Sequence, residues 1–237
     1  MNRLCKPACI WVLASFAACG RPERQHGRVT SLEAVSSLEA RTRGCESAGP
    51  DAGQNFAAYL ADLGGLSRYV AEPYPWVLLL EAYDPSQDDQ PPRFELRWLE
   101  GRHLGGPRFQ VNYDGYPGGD PTAGARQGFG RVALDAGGWV SGATPTLEFP
   151  GLDEGPRLTL QEVKLEAQVS LDELGVTVRQ GMLSGSVDPA GLPGWSHPND
   201  VTPGPRGFEA CAPDGPCEAV SVCVAFEADP LPPEMQE

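Results

Sequence analysis

The side chains best suited to acid–base catalysis are few and stand close to turn residues. Beyond residue 30 there are two histidines, His103 near a Gly-Gly pair and His197 before Pro-Asn-Asp. A histidine serves as a general base when a partner orients it within reach of the reacting proton. His197, Asp200 and a serine could form such an arrangement in space, but no G-x-S-x-G, H-E-x-x-H or S-x-x-K motif occurs. We therefore interpret both histidines as loop residues, predict no catalytic residue, and expect that the chain is not an enzyme.

Paired carboxylates are the second candidate chemistry, because glycoside hydrolysis uses two of them facing each other across the substrate. Adjacent acidic residues occur at Asp88-Asp89, Asp153-Glu154 and Asp172-Glu173, all next to turn residues. Neighbours in a turn supply a solvated acidic surface rather than two facing groups. We predict no cofactor, and the alternative is calcium in the loops at residues 84–89 or 114–120, since clustered acidic and carbonyl oxygens are its usual ligands.

Three tryptophans raise a carbohydrate-binding alternative, since exposed aromatic rings can stack on sugars. Trp98 lies in an alternating segment and is predicted to be a core residue. Trp139 and Trp195 stand in Gly/Pro-rich loops and are the better candidates for a sugar platform. Packing beneath a loop is the more frequent fate of such side chains, so the ligand-binding residues stay unassigned.

The N-terminal residues predict export. Arg3 and Lys6 form a short positive end, residues 8–18 carry no charge, and small residues lead into Cys19. These are the n-region, the h-region and the cleavage site of a signal peptide. About eleven apolar residues are too few for a transmembrane anchor, which needs roughly twenty.

The segment Phe16-Ala17-Ala18-Cys19 resembles the lipobox of bacterial lipoprotein precursors. This resemblance implies that residues 1–18 are a lipoprotein signal peptide and that Cys19 carries three acyl chains such as palmitate, more than stable anchoring requires. Gly20 is not the Asp linked to inner-membrane retention, so the cell outer membrane is the expected location. Ordinary secretion is the alternative, but it favours a small residue at −3, where this chain has the bulky Phe16.

The charge of the chain excludes one class of partner. The sequence has 18 Lys+Arg and 32 Asp+Glu residues, a formal net charge of −14. Removing residues 1–18 takes away Arg3 and Lys6, so the mature chain has 16 basic and 32 acidic residues and a net charge of −16. Such a surface repels phosphate backbones, so we expect no nucleic-acid partner. The expected partners are the membrane, through the lipid on Cys19, and another envelope protein or a polysaccharide.

Four cysteines remain in the mature chain besides Cys19: Cys45, Cys211, Cys217 and Cys223. An even number in an exported chain predicts disulfides. Three pairings exist, and we favour Cys211–Cys217 across a short loop with Cys45–Cys223 joining the two ends of the domain. Zinc is the alternative, but there is no C-x₂-C pair and the histidines are not spaced with the cysteines, so we predict no metal site.

The mature chain divides into three parts. A polar tether is predicted at residues 19–48, with His26 as one of its residues, although residues 29–40 could be a short edge strand or a weak helix. The domain itself should cover residues 49–228, and residues 229–237 should form a disordered tail. Residues 52–70 place four apolar side chains at i, i+3, i+4 and i+7, which predicts one short helix.

Short apolar segments separated by turns predict strands in the rest of the domain. Residues 76–82 form an apolar run typical of a strand buried on both faces, and residues 94–99 alternate as a half-buried strand does. The clearest pattern is a hairpin over residues 158–187, with a turn at 171–175 and a bulge at Gly181. Its predicted core side chains are Val163, Leu165, Ala167, Val169, Val176 and Val178.

About nine such strands predict an all-β fold, an antiparallel β-sandwich with Greek-key-like connections. We expect a lipid-anchored cell-envelope protein whose β domain is non-catalytic and has a structural or interaction role. A carbohydrate-binding module is the first alternative, and an envelope hydrolase is the less favoured one.

Overall fold

The computed structural model describes residues 23–35, 66–70, 76–84, 92–105, 108–149, 157–188, 220–232 and 235. Nine β-strands make up most of this part of the chain: β1 (Arg24–Ala34), β2 (Trp76–Tyr83), β3 (Arg93–Gly105), β4 (Arg108–Val111), β5 (Gly128–Ala133), β6 (Trp139–Phe149), β7 (Leu158–Asp172), β8 (Gly175–Val187) and β9 (Val220–Leu231). The helical pieces in the same residues are three short 3₁₀ turns, Leu66–Tyr69, Tyr113–Gly115 and Pro117–Gly119.

The strands form one antiparallel sheet in the order β4-β3-β2-β1-β9-β8-β7-β6, and β5 pairs with β3. The all-β, antiparallel class predicted from the sequence is therefore confirmed. Most neighbours are consecutive in the chain, and the β1–β9 pair joins the two halves, so the connections form a meander and the expected Greek key is wrong. The sheet curls over a single large core, to which strands from both halves contribute.

The curl brings β5 against β6, although the two strands share no ladder. Gly142 on β6 makes this approach close, because a Cβ there would lie 2.7 Å from the Cβ of Phe129 on β5. In a β-sandwich, two separate sheets face each other across the core. Here the two facing layers are parts of one curled sheet. A common apolar interior results, with Trp98 making edge-to-face contacts to Phe149 and Phe226.

The predicted β7–β8 hairpin is confirmed. The strands are joined by a two-residue turn, with Asp172 opposite Gly175. All six side chains predicted for the core are 3% exposed or less: Val163, Leu165, Ala167, Val169, Val176 and Val178. Alternation in period two therefore identified the core-facing side chains at residues 163–169 and 176–178.

Two bulges interrupt β7 and β8. Glu162 has a φ of 51° beside a register shift, so the buried positions change phase between Leu160 and Val163. The bulge predicted at Gly181 is confirmed as a register shift between Val178 and Gly181.

The central strand β2 is buried on both faces, as its apolar run predicts. Leu78 and Leu80 point into the large core, whereas Val77 and Leu79 point to the opposite face. A second apolar cluster covers that opposite face: Val77, Leu79, Leu99, Phe109, Val111, Tyr116 and Leu231. We call this side of β1, β2 and β3 the second face.

Three boundaries differ from the sequence predictions. The tether prediction is wrong for residues 24–34, because β1 lies in the middle of the sheet between β2 and β9. The tail prediction is wrong at its start, since β9 extends to Leu231, which is 2% exposed. Of the predicted helix at 52–70, the described end is the 3₁₀ turn Leu66–Tyr69, and the remainder lies outside the described residues.

Candidate functional site

A cluster of charged side chains lies on the second face of the sheet. The ladders place His26 of β1 opposite Glu81 of β2, and Glu81 opposite Arg97 of β3. Directly opposed residues share one face of a sheet, so the three side chains lie in a row across three strands. They are 6%, 1% and 2% exposed, respectively. We call this group, together with Glu95 and Tyr116, the buried charge cluster.

Glu81 has contacts on both carboxylate oxygens. Its Oε2 accepts a hydrogen bond from Nη1 of Arg97 at 2.9 Å, and its Oε1 accepts one from the hydroxyl of Tyr116 at 3.0 Å. The Nε2 of His26 lies 3.2 Å from the same Oε1. A buried charge needs hydrogen-bonding or oppositely charged partners to offset its loss of hydration, and Glu81 has such partners on both oxygens.

Arg97 connects the cluster to the chain that covers it. Its Nε and Nη2 donate to Oε2 of Glu95 at 3.0 and 2.6 Å, and its Nη1 also donates to the carbonyl oxygen of Pro121 at 2.9 Å. Tyr116 comes from the same covering segment, residues 112–127. The guanidinium also lies over the ring of Tyr83, 4.0 Å from its centroid.

These contacts keep Glu81 and Arg97 charged. Burial by itself would raise the pKa of Glu81, but the hydrogen bond and charge of His26, followed by those of Arg97, outweigh it and lower the pKa below 4.5. Burial would lower the pKa of Arg97, but Glu95 and Glu81 together raise it. Burial and the charge of Glu81 raise the pKa of Tyr116, so its hydroxyl stays a hydrogen-bond donor.

This cluster is not among the sites predicted from the sequence, although the sequence contains a signal for it. Glu81 interrupts the apolar run of β2, and Arg97 alternates with core residues on β3. A charge inside a strand buried on both faces needs an opposite charge beside it, and Arg97 is the cationic candidate on the adjacent predicted strand.

A groove runs over the outside of the curled sheet across β6, β7, β8, β9 and β1, with a volume of about 720 Å³. We call it the outer groove; the residues that matter below are Trp139, Glu166, Met182, Ala225, Glu33 and Glu227. Trp139, predicted to lie in a loop, is instead the first residue of β6 and is 39% exposed. Trp98 is in the core as predicted, and Trp195 lies outside the described residues.

Comparison with known proteins gave no match. No protein-family model, no curated protein and no solved structure is similar enough to place this chain in a family. In the part of the chain that the structure describes, no helix has the length and apolar character needed to cross a bilayer.

The two histidines that the structure describes, His26 and His103, both lie in strands. His26, predicted to belong to the tether, is buried beside Glu81, so that prediction is wrong. His103, predicted to be a loop residue, belongs to β3, and its ring lies 4.5 Å from that of Phe109 on β4. His197 and Asp200 lie outside the described residues.

Two acidic residues from the candidate pairs and loops, Asp172 and Asp120, accept hydrogen bonds within their own turns. Oδ1 of Asp172 accepts hydrogen bonds from the backbone N–H groups of Leu174 and Gly175. Oδ1 of Asp120 accepts two from Thr122, which lower the pKa of Asp120. Within the described residues no group of three or more His, Cys, Asp or Glu side chains could hold a metal ion. The other acidic pairs, Asp88-Asp89 and Asp153-Glu154, lie outside those residues, as does most of the candidate calcium loop at 84–89.

Of the four cysteines predicted to form disulfides, Cys223 is the one within the described residues. It lies on β9, is 2% exposed, and packs with Val35 and Met182. Cys45, Cys211 and Cys217 lie outside the described residues, and so does the lipidation site Cys19. The pairing and the lipidation therefore stay predictions.

Proposed function

We propose that this chain is a lipoprotein of the cell outer membrane, anchored through Cys19, whose β domain has a non-catalytic structural or interaction role. The N-terminal sequence supports the anchor: a positive end, an apolar stretch and the Phe16-Ala17-Ala18-Cys19 segment. Three acyl chains on one cysteine would hold the protein firmly in the membrane.

The observation that carries this proposal is the Phe16-Ala17-Ala18-Cys19 segment, and the position of β1 sets how close the domain would lie to the membrane. The strand begins at Arg24, five residues after Cys19, and it lies in the middle of the sheet. Five residues of fully extended chain span at most about 18 Å. A lipid on Cys19 would therefore hold the folded domain close to the bilayer, with the Arg24 end of β1 nearest the membrane.

The interaction role is supported by the difference between the buried charge cluster and the outer groove. The members of the buried charge cluster contact one another and the covering segment, so their contacts stabilise the fold. The outer groove, in contrast, presents side chains to solvent across five strands. A surface of this kind suits the binding of a partner. The carbohydrate-binding alternative is favoured by one observation, the exposed ring of Trp139 in that groove.

A substitution at the proposed lipidation site tests the anchor. Cys19→Ser should abolish lipid attachment, leave an unprocessed precursor and release the protein from the outer-membrane fraction. Cys9→Ser is the matched control, since it removes a cysteine from the same short segment and should leave attachment unchanged. If Cys19→Ser protein is still cleaved after Ala18 and still sediments with membranes, the proposal is wrong.

A further inference from the structure

We propose that the outer groove binds an uncharged carbohydrate chain, with the ring of Trp139 as a stacking platform and the carboxylates of Glu33, Glu166 and Glu227 as acceptors for sugar hydroxyls. The inference rests on the interaction role proposed above and names the chemical class of the partner. It depends on how the ladders align side chains across the groove.

A continuous row of side chains forms the middle of the groove. Register places Glu166 of β7 opposite Met182 of β8, Met182 opposite Ala225 of β9, and Ala225 opposite Glu33 of β1. Neighbouring strands are about 4.8 Å apart, so this row spans about 14 Å. The small side chain of Ala225 and the flexible side chain of Met182 thus lie between the carboxylates of Glu33 and Glu166. The result is a depression with a hydrogen-bond acceptor at each end.

Trp139 begins a second row next to the first. It lies opposite Gln168 of β7, which in turn lies opposite Gln180 of β8. The two ladders are bent here, since the register shifts between Gln168 and Val169 and again between Val178 and Gly181. Both shifts come from one bulge in β8, and a bulge bends its strand and re-aims side chains. The ring of Trp139 and the amide side chain of Gln180 therefore lie along one side of the depression.

The backbone at Trp139 is fixed before any ligand arrives. Oδ1 of Asp135 accepts hydrogen bonds from the backbone N–H groups of Trp139 and Gly137, both at 2.8 Å. An ordered platform loses little conformational freedom on binding, which favours affinity. Aromatic rings bury a large area on contact with another flat apolar surface, and a sugar ring offers such a surface.

The charges of the groove select against acidic ligands. Three carboxylates line it, at Glu33, Glu166 and Glu227. The one lining arginine, Arg179, has its Nη1 3.3 Å from Oδ1 of Asp229, so its charge is partly matched already. Ionised carboxylates only accept hydrogen bonds, and hydroxyl groups can donate them. A chain of neutral sugars meets these demands, whereas uronates and phosphorylated glycans would meet like charge.

Calorimetric titration of the full mature chain in detergent tests the inference. The probes are oligosaccharides of glucose, mannose and N-acetylglucosamine, with polygalacturonate as the acidic comparison. At least one neutral probe should bind, and Trp139→Ala should weaken its binding about tenfold, which corresponds to about 1.4 kcal/mol. Trp139→Phe should retain most of the affinity, and Glu166→Gln should weaken it less than Trp139→Ala does.

Two matched controls separate the groove from the rest of the surface. Tyr113→Ala removes another exposed aromatic ring, 48% exposed, that lies outside the groove. Glu173→Gln removes an exposed carboxylate at the β7–β8 turn. Both should bind the neutral probe as the wild type does. Circular dichroism of all variants should show unchanged melting, because Trp139 and Glu166 are surface residues.

Several results would overturn the inference. One is that none of the neutral oligosaccharides binds. Another is that the protein binds polygalacturonate more tightly than the neutral probes. A third is that Trp139→Ala binds the neutral probe with the affinity of the wild type. Binding of a lysine-rich peptide, or self-association that depends on Trp139, without carbohydrate binding would assign the groove to a protein partner instead. Membrane fractionation tests the anchor separately. A protein that reaches the membrane but binds no carbohydrate would contradict the carbohydrate inference and leave the proposed anchor intact.

Discussion

Arg97 donates a hydrogen bond from Nη1 to Oε2 of Glu81 at 2.9 Å, and the two side chains are among the most buried in the described part of the protein. Burying two charges costs several kcal/mol per ion before their attraction is counted. The attraction can offset that cost here because the remaining oxygen of Glu81 accepts from Tyr116 and lies beside His26. The stability of the cluster depends on its being complete, so loss of one member should be costly.

Glu81→Gln should lower the free energy of unfolding by about 3–5 kcal/mol, because it leaves Arg97 buried with Glu95 as its remaining carboxylate. Chemical denaturation at neutral pH measures the difference. Glu166→Gln, an exposed site on β7, is the control and should change stability by less than about 0.5 kcal/mol. Equal losses in the two variants would mean that the buried pair does not stabilise the fold.

The stability difference between the wild type and Glu81→Gln should also depend on pH. The pKa of Glu81 is lowered in the folded protein, so its charged form contributes stability above its usual value of 4.5, and that contribution is lost as pH falls through the lowered folded pKa. The stability difference between wild type and Glu81→Gln should therefore be large at pH 7 and shrink below about pH 4.5. A difference that grows as the solution is acidified would contradict this assignment.

Tyr116 should matter through its hydroxyl group. Tyr116→Phe removes the donor to Oε1 of Glu81 and should cost about 1.5–3 kcal/mol, the range for hydrogen bonds to charged groups. It should also speed amide exchange in residues 112–127, since one of the contacts that hold this segment on the sheet is lost. Tyr113→Phe, three residues earlier and exposed, is the control and should leave both measurements unchanged.

Leu165 and Lys164 test the β7–β8 register. Leu165→Asp would place an unpaired carboxylate in the core and should destabilise the protein by several kcal/mol. Lys164→Asp, on the opposite face and exposed, should stay within about 0.5 kcal/mol. Thermal melts of the two variants give the comparison, and equal shifts would show that the faces are assigned wrongly.

Cys45, Cys211, Cys217 and Cys223 should contain no free thiol in the mature protein. Peptide mass mapping under non-reducing conditions should find Cys211 joined to Cys217 and Cys45 joined to Cys223. By restricting the unfolded chain, the bond across the short loop should add about 2 kcal/mol of stability, and the bond that joins the two ends of the domain about 5 kcal/mol. A free Cys45 in the native protein would rule out the bond to Cys223.

The strands that face one large core were predictable from the sequence. β7 and β8 alternate apolar and polar residues, and β2 is apolar, so their positions follow directly from period and composition. β1 was missed because Arg24, His26 and Arg28 give it a polar appearance. Its polar side chains are accommodated at the second face, and this requires the covering segment and the partner charges of β2 and β3, which local periodicity does not report.

The candidate sites were less predictable than the fold. Trp139 could be named as a platform residue, but its neighbours in the groove come from five strands whose order is set by long-range pairing. Glu33 and Ala225 are far apart in the chain and become neighbours only through the β1–β9 ladder. No local pattern contains that information, since the register of a sheet is decided by all of its strands together.

The β1–β9 ladder also has a consequence for the order in which the protein can form. Val29 pairs with Ala228, so the centre of the sheet joins strands from the two extremes of the described fold. Closing so long a loop is entropically slow, and such non-local topologies fold slowly. A chain emerging from its N-terminus cannot complete its central strand pair until residues 220–231 have also emerged. The topology thus couples completion of the sheet to the arrival of β9, and β1 lacks one of its two neighbours until then.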